Sequence, residues 1–444
     1  LSETSRIEAR KLKGFRDYDS RACQKREEIS NALRVIAASA GFQEIATPVL
    51  EYQDVLLGAG GDETDKEVYR FIDHGDRAVA LRFDLTVPFA RYVAEHQGTM
   101  IFPFKKLQVG DVWRGEKPQK GRYRQFCQGD LDIIGVDSLA ADVEVVGCIF
   151  KVLDQVVPSS FTMSIGNRVV LNAIIRSFAP QATPEEQAKI LVALDKLKKI
   201  GQDKTVQLIC DAAKISDEQA RKLLASVAPA ADGKQDWDKL SGIVGGDAAV
   251  ELKRFRQTIE LLQDGSQDAR LGKVKADLSL ARGLSYYTGI VFEAAVDAMP
   301  EIGSISGGGR YNELVSRFSS RELAGVGGSV GVDRVLACFE SLQQEVAPTR
   351  KGVMIAVATE DALAYGFSIL SQLRKASDGL TCDIGLQIGK LGNQFKYADR
   401  MSYAHVVIVG TDEKSANCVA VKDLATGQEK KGLPREQLVQ FLGL

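Results

Sequence analysis

Between residues 20 and 41, Ile29, Leu33, Ile36 and Ala40 recur at helical spacing, which predicts a helix with one apolar face. Asp19 or Ser20 can cap its start and Gly41 can end it. Residues 79–83 read as a strand, and Asp84 then precedes a helix with Pro88 in its first turns. From 101 to 134 the pattern is strand, charged loop, strand. The loop is Arg114-Gly-Glu-Lys-Pro-Gln-Lys-Gly-Arg-Tyr-Arg124, and 125–134 alternates in part. Residues 183–270 change character. Thr183-Pro-Glu-Glu186 is a capping box with proline at the first helical position, Ser216 with Gln219 offers another, and long charged helices follow each. Strand signals return at 275–280 and 290–296, followed by two glycine-rich segments, 303–309 and 325–331, that read as turns. Residues 346–351 read as a linker. Beyond it come a strand at 353–358 and a helix at 361–376 with Leu363, Phe367, Leu370 and Leu373 inward. Strand signals at 380–386, 405–409 and 418–421, alternating with further helices, complete a compact α/β domain.

At 444 residues the chain exceeds what one hydrophobic core usually organises, so two or three domains are expected. Hydrophobic residues at 45% and charged residues at 26% are ordinary for a globular protein. No apolar run approaches the roughly 18 residues that span a bilayer, and Arg6, Glu8, Arg10, Lys11 and Lys13 leave no room for the apolar core of a signal peptide. The seven cysteines are scattered without a Cys-x-x-Cys pair, and His74, His96 and His405 lie far apart. That argues against a disulfide framework, a structural zinc site and a His-rich metal centre, and fits a reducing cytosol with no membrane partner. A net charge of −2 does not announce a nucleic-acid binder, so any contact with RNA must come from local basic patches.

No P-loop is present, and Gly325-Val-Gly-Gly-Ser-Val-Gly331 departs from a dinucleotide fingerprint by a third glycine one position late. A nucleotide would have to be held by strands and arginines. Arg114 ends a strand-like run, where its forked guanidinium suits a phosphate. Alone it would be a solvated turn arginine, but Lys117, Lys120, Arg122 and Arg124 follow it within one loop. Asp84, Gln128 and Asp132 stand beside strands; converging, they would suit a small zwitterion, and taken singly they read as helix caps or solvated side chains. Arg282-Gly-Leu-Ser-Tyr-Tyr287 could supply positive charge and a polar aromatic wall, or simply two core tyrosines. Gly307-Gly-Gly-Arg-Tyr311 lets backbone approach a ligand, or makes a tight turn. Arg334 could reach a terminal phosphate or sit on the surface.

Read together, these pieces resemble one family. Gly14-Phe-Arg-Asp17, Leu81-Arg-Phe-Asp-Leu-Thr-Val-Pro88, the segment from Trp113 through Arg114 and Arg124 to Phe126, and Gly328-Ser-Val-Gly-Val-Asp-Arg334 resemble the class II aminoacyl-tRNA synthetase motifs as histidyl-tRNA synthetases carry them. Ala281-Arg-Gly-Leu-Ser-Tyr-Tyr-Thr-Gly289 and Gly307-Gly-Gly-Arg-Tyr311 resemble that family's two histidine signatures, with Ser285 where the first commonly has Asp. Residues 390–400 and 421–427 are similar to its anticodon-binding domain.

The resemblance implies an α+β catalytic core with an antiparallel sheet (1–165 plus 273–345), a helical insertion (166–272) and a C-terminal α/β anticodon-binding domain (346–444). It implies ATP-dependent attachment of L-histidine to tRNA(His) through a histidyl-adenylate, with ATP and Mg²⁺ but no prosthetic group, by a homodimer in the cytoplasm. By position it gives catalytic roles to Arg114, on the α-phosphate, and Arg282, on the α-phosphate and histidine carboxylate. Arg334 would hold the γ-phosphate, Phe126 would stack on adenine with Glu116 near its amino group, and the loop carrying Arg122 would meet ATP or the acceptor stem. Asp84 and Gln128 would bind the α-amino group, with Leu85, Thr86 and Asp132 lining that site. Tyr287 and Tyr311 would contact the imidazole or ammonium end, with Tyr286 beside them. The rival from another class is a histidine-sensing relative, the regulatory subunit of ATP phosphoribosyltransferase, which typically lacks the C-terminal domain and the signature arginine. A synthetase for another amino acid would not explain the Tyr-Tyr element, nor an ordinary RNA-binding module three phosphate-type arginines on separate strands.

Overall fold

The computed structural model describes residues 7–58, 62–227, 235–280, 286–342, 351–376 and 379–444, with backbone only at 62–64, 198 and 199. The chain forms two compact units, Leu1–Leu342 and Gln343–Leu444. In the first, the strands in chain order are β1 (Gln43–Glu44), β2 (Leu50–Tyr52), β3 (Arg70–Ile72), β4 (Ala78–Leu81), β5 (Phe104–Trp113), β6 (Gln125–Ile134), β7 (Phe161–Asn167), β8 (Gly272–Ala276), β9 (Ile290–Val296), β10 (Ser304–Arg310) and β11 (Gly325–Gly331). Eight of them build one sheet in the order β1-β5-β6-β11-β10-β9-β7-β8, and β2-β4-β3 form a small separate one.

The large sheet is antiparallel from β5 through to β7, as expected, but both edge pairings are parallel, so the sheet is mixed. The β8 edge follows from connectivity. Between β7 and β8 the chain runs through helices from Arg168–Phe178 to Asp247–Asp264, a crossover long enough to return β8 in the direction of β7. Both expected capping boxes form there: Thr183 Oγ1 accepts from Glu186 N–H and Glu186 accepts from Thr183 N–H at 2.8 Å, while Ser216 and Gln219 pair in the same way.

The two glycine-rich segments expected as turns are strands β10 and β11. None of the glycines within these strands has positive φ. Glycine is required by close approach instead: a Cβ at Gly309 would meet the Tyr287 ring at 2.9 Å, and one at Gly328 would meet Phe292 and Ile149. Likewise, the strand signal at 275–280 resolves to β8, which starts earlier, at Gly272.

Alternation along the strands gives the sheet two unlike faces. The helices Ser20–Ser39, Leu139–Val156 and Val332–Ser341 cover one of them, where Leu33, Val145, Ile149 and Val335 pack on Leu131, Ile133 and Phe292. Burying each such side chain contributes about 1.5–3 kcal/mol. The opposite face carries the polar residues described below.

The second unit has its own sheet, β13-β12-β14-β15-β16, from β12 (Val353–Val357), β13 (Cys382–Ile384), β14 (His405–Val409), β15 (Cys418–Asp423) and β16 (Glu429–Pro434). Its first three strands are parallel and its last two antiparallel. Polar residues do not alternate with apolar ones along β12. All five of its residues are buried, because Ile355 packs with Leu370 and Leu373 on one face and Met354 with Ala398 and Tyr403 on the other. Phe367, expected inward on the Leu363–Ala376 helix, is half exposed.

Candidate active site

The polar face of the large sheet can be written out from register alone. Lys106, Gln108 and Gly110 on β5 stand opposite Asp132, Asp130 and Gln128 on β6, which stand opposite Gly327, Ser329 and Gly331 on β11. Lys106 is fully buried, and its Nζ lies 2.9 Å from Asp132 Oδ2. The other oxygen of Asp132 accepts a 2.6 Å hydrogen bond from the Tyr311 hydroxyl. Asp130 accepts from the Ser329 hydroxyl at 2.5 Å.

Asp84 lies on the loop before the Thr86–His96 helix and accepts a hydrogen bond on each carboxylate oxygen. One oxygen caps the helix by accepting from Val87 N–H at 3.0 Å, and the other accepts from the Tyr286 hydroxyl at 3.3 Å. Tyr286 stands edge-on to Tyr287 and Tyr311, with centroids 4.9 and 6.2 Å away, so the three rings form one wall. Leu85 and Thr86 are buried behind Asp84. Gln128 is also buried, and its Oε1 has no hydrogen-bond partner among the described residues.

Burial sets the electrostatics of this patch. It raises the Asp84 carboxyl from its ordinary value despite the Val87 amide and Arg114. Asp130 is pushed up to about 7, first by burial and further by Asp132, against the pull of Lys106. Burial also holds the Tyr286 and Tyr311 hydroxyls protonated, well above their ordinary value.

A second, positive region adjoins the acidic one. Arg114 lies 4.3 Å over the Phe83 ring and 5.2 Å from that of Phe126, and donates through Nε to the Phe83 carbonyl at 3.2 Å. Arg334 donates to the Ser304 carbonyl. Its pKa is pushed down to about 10 by burial, then by the neighbouring charges of Arg122 and Arg114, which places the three guanidinium groups together. Arg122 is paired with Glu116 at 2.8 Å. Among the described residues, Arg114 and Arg334 form no ion pair with a carboxylate. Guanidinium groups brought together, two of them with no carboxylate in contact, suit a polyanion.

The structure thus gathers Asp84, Leu85, Thr86, Gln128, Asp132, Tyr286, Tyr287 and Tyr311 around the acidic patch, and Arg114, Glu116, Arg122, Phe126 and Arg334 around the basic one. Arg282 and Ser285 lie outside the described residues. Sequence reasoning passed over Lys106, Gln108, Asp130 and Ser329. The signal for Asp130 was there, since Gln128, Asp130 and Asp132 occupy every second position of one strand.

The glycines of β11 leave room for these side chains, because a Cβ at Gly327 would collide with the Asp132 carboxylate. Gly327→Ala is therefore expected to cost about 1–3 kcal/mol through overpacking, read as a lower urea midpoint at unchanged slope.

Comparison with known proteins agrees with the geometry. Residues 14–335 match the family model for histidyl-tRNA synthetase, and 351–443 match that for an anticodon-binding domain. The chain is 41% identical over 430 residues to a histidine–tRNA ligase of Rhodopirellula baltica, covering 96% of this chain and 95% of that one. It is 35% identical to one of Wolinella succinogenes over the whole of both chains. Among solved structures, a histidyl-tRNA synthetase from Nostoc superposes with a TM-score of 0.84 at 27% identity over 99% of each chain. A Bacillus halodurans protein described as an ATP phosphoribosyltransferase regulatory subunit/histidyl-tRNA synthetase shares the fold, with a TM-score of 0.74 at 20% identity over 91% of this chain and 99% of that one.

Proposed function

The chain belongs to the histidyl-tRNA synthetase family, and from that premise we propose how its residues attach L-histidine to tRNA(His). In the first step a histidine carboxylate oxygen bonds to the α-phosphorus of ATP and the bond to the bridging oxygen breaks, releasing pyrophosphate. In the second, a ribose hydroxyl of the terminal adenosine attacks the adenylate's carbonyl carbon and AMP leaves. Activation needs little proton transfer, so positioning and charge neutralisation carry it.

The observation that carries this reading is the pairing of two unlike patches, one with guanidinium groups lacking carboxylate partners, the other with buried carboxylates and an unpartnered amide oxygen. Arg114 would take the α-phosphate, with Arg282 beside it by resemblance, and Arg334 the γ-phosphate. Phe126 would stack on adenine, with Glu116 near the adenine amino group and Arg122 on the loop closing over the nucleotide. Asp84 and Gln128 Oε1 would accept hydrogens from the α-ammonium group, against Leu85, Thr86 and Asp132. Tyr286, Tyr287 and Tyr311 would wall the side chain.

Mg²⁺ would enter with ATP. It prefers phosphate and water oxygens plus one or two carboxylates, and Glu293, near Arg334, fits that need. No cluster of three metal-binding side chains occurs among the described residues. The second unit would bind the anticodon. A homodimer in the cytoplasm completes the reading; among the described residues no helix is long and apolar enough to cross a membrane.

A histidine sensor without ligase activity is the weaker reading, because the relatives matched over nearly their full length are named as ligases and the anticodon-binding domain model matches this chain. ATP–pyrophosphate exchange with each amino acid in turn separates the two. Exchange with histidine alone is expected; histidine binding without exchange would establish the sensor.

A further inference from the structure

The polar face of the sheet is short of hydrogen-bond donors in one place. Gln108 is almost fully buried, and its Nε2 donates to Thr47 Oγ1 at 2.9 Å, yet its Oε1 has no partner among the described residues. Gln128 Oε1, nine-tenths buried on the same face, is in the same condition. Asp130, on β6, stands directly opposite Gln108 and two residues along from Gln128, and among the described residues it receives only the Ser329 hydroxyl.

The charges are unbalanced in the same place. Lys106 is the buried lysine there, and it is paired with Asp132. Asp84 is bonded to Val87 N–H and Tyr286 and, in the reading above, receives the α-ammonium group. Among the described residues Asp130 is left with no ion-pair partner of its own. The other groups that face it are Asp132 on its own strand, Lys106 and Gln108 on β5, Ser329 on β11, Asp84 on the loop, the phenols Tyr286, Tyr287 and Tyr311, and Arg82. Buried acceptors in surplus call for a ligand that brings protons.

We propose that Asp130 is a positioning residue for the histidine side chain and shares a single proton with the bound imidazole. This deepens the reading of the site as a histidine pocket and rests on it. Asp130 titrates near pH 7 when the pocket is empty, and a free imidazole near pH 6.5. Above both values the carboxylate has lost its titrating proton and the imidazole keeps a single ring N–H, so binding with one further proton shared between them draws that proton from solvent. Below both, each holds its titrating proton, and binding releases one of the two. The Lys106–Asp132 ion pair stands beside Asp130 on the same face.

The test is calorimetric titration of the protein with histidine at pH 8 in two buffers of different ionisation enthalpy. Uptake approaching one proton per site is expected for the wild type, with affinity weakening as pH rises above 7. Asp130→Asn replaces the acid by a permanent donor of the same shape. It should bind histidine with no uptake and lose the alkaline weakening. Ser329→Ala removes a donor that lowers the acid's pKa, so its alkaline weakening should begin at higher pH; this variant keeps the test open should Asp130→Asn not fold. Unchanged uptake in Asp130→Asn, or an unmoved onset in Ser329→Ala, overturns the proposal while leaving the histidine pocket standing. Failure of the wild type to bind histidine at all would overturn both.

Discussion

Arg114→Ala is expected to lower histidine-dependent ATP–pyrophosphate exchange about 10²–10³-fold, the usual loss when one pre-aimed donor to a developing oxyanion is removed. The guanidinium is held by the Phe83 carbonyl and by the rings of Phe83 and Phe126, so its position is set before any phosphate arrives. The loss should fall mainly on kcat, because pentavalent phosphorus concentrates charge that ground-state ATP spreads. Arg114→Lys keeps the charge but loses the planar fork and the stacking, and should recover only part of the rate. Near-normal exchange in folded Arg114→Ala would remove this arginine from the chemical step.

The second large effect is on stability. Lys106→Met leaves Asp132 buried without its cation and removes the neighbouring charge that holds the Asp130 carboxyl down, and removing one partner of such a pair costs about 3–5 kcal/mol. The deficit should depend on pH with a definite sign. A carboxyl whose folded pKa is raised costs nothing below its unfolded value, near 4, and costs most above its folded value. Asp130 is already up to about 7 with Lys106 in place. The variant should therefore approach wild-type stability near pH 4 and fall furthest behind it at pH 8. Both tryptophans, Trp113 and Trp237, belong to the first unit, so urea unfolding followed by tryptophan fluorescence reads that unit alone. A deficit that does not change between pH 5 and pH 8 would contradict the electrostatic origin.

What could be read from the chain beforehand divides by range. The capping box at Thr183 and Glu186 and the basic loop after Arg114 are local patterns, and both were legible. The Tyr286–Tyr287 pair was legible as an aromatic wall or as core; both rings are partly buried against the core, with the Tyr286 hydroxyl turned to Asp84. The segments 303–309 and 325–331 read as turns because glycine carries no side chain: a strand made of it shows no alternation, and only its neighbours Tyr287, Phe292 and Asp132 explain the composition. Lys106 was passed over, because nothing local in the sequence marks it out. Its burial is a property of register, since only the pairing of β5 with β6 puts Asp132 opposite it. The parallel edges of the sheet were equally invisible, being set by where long connections return.

The glycine floor bears on how this pocket could be redesigned. A pocket is ordinarily enlarged by trimming side chains from its base, but β10 and β11 present Gly307, Gly309 and Gly327 there, and nothing smaller exists. A variant that accepts a bulkier amino acid must gain its space from the walls, at Tyr287, Tyr311 or the acidic residues of β6. Each of those walls also holds a hydroxyl or a charge, so added volume and lost recognition would arrive in the same substitution.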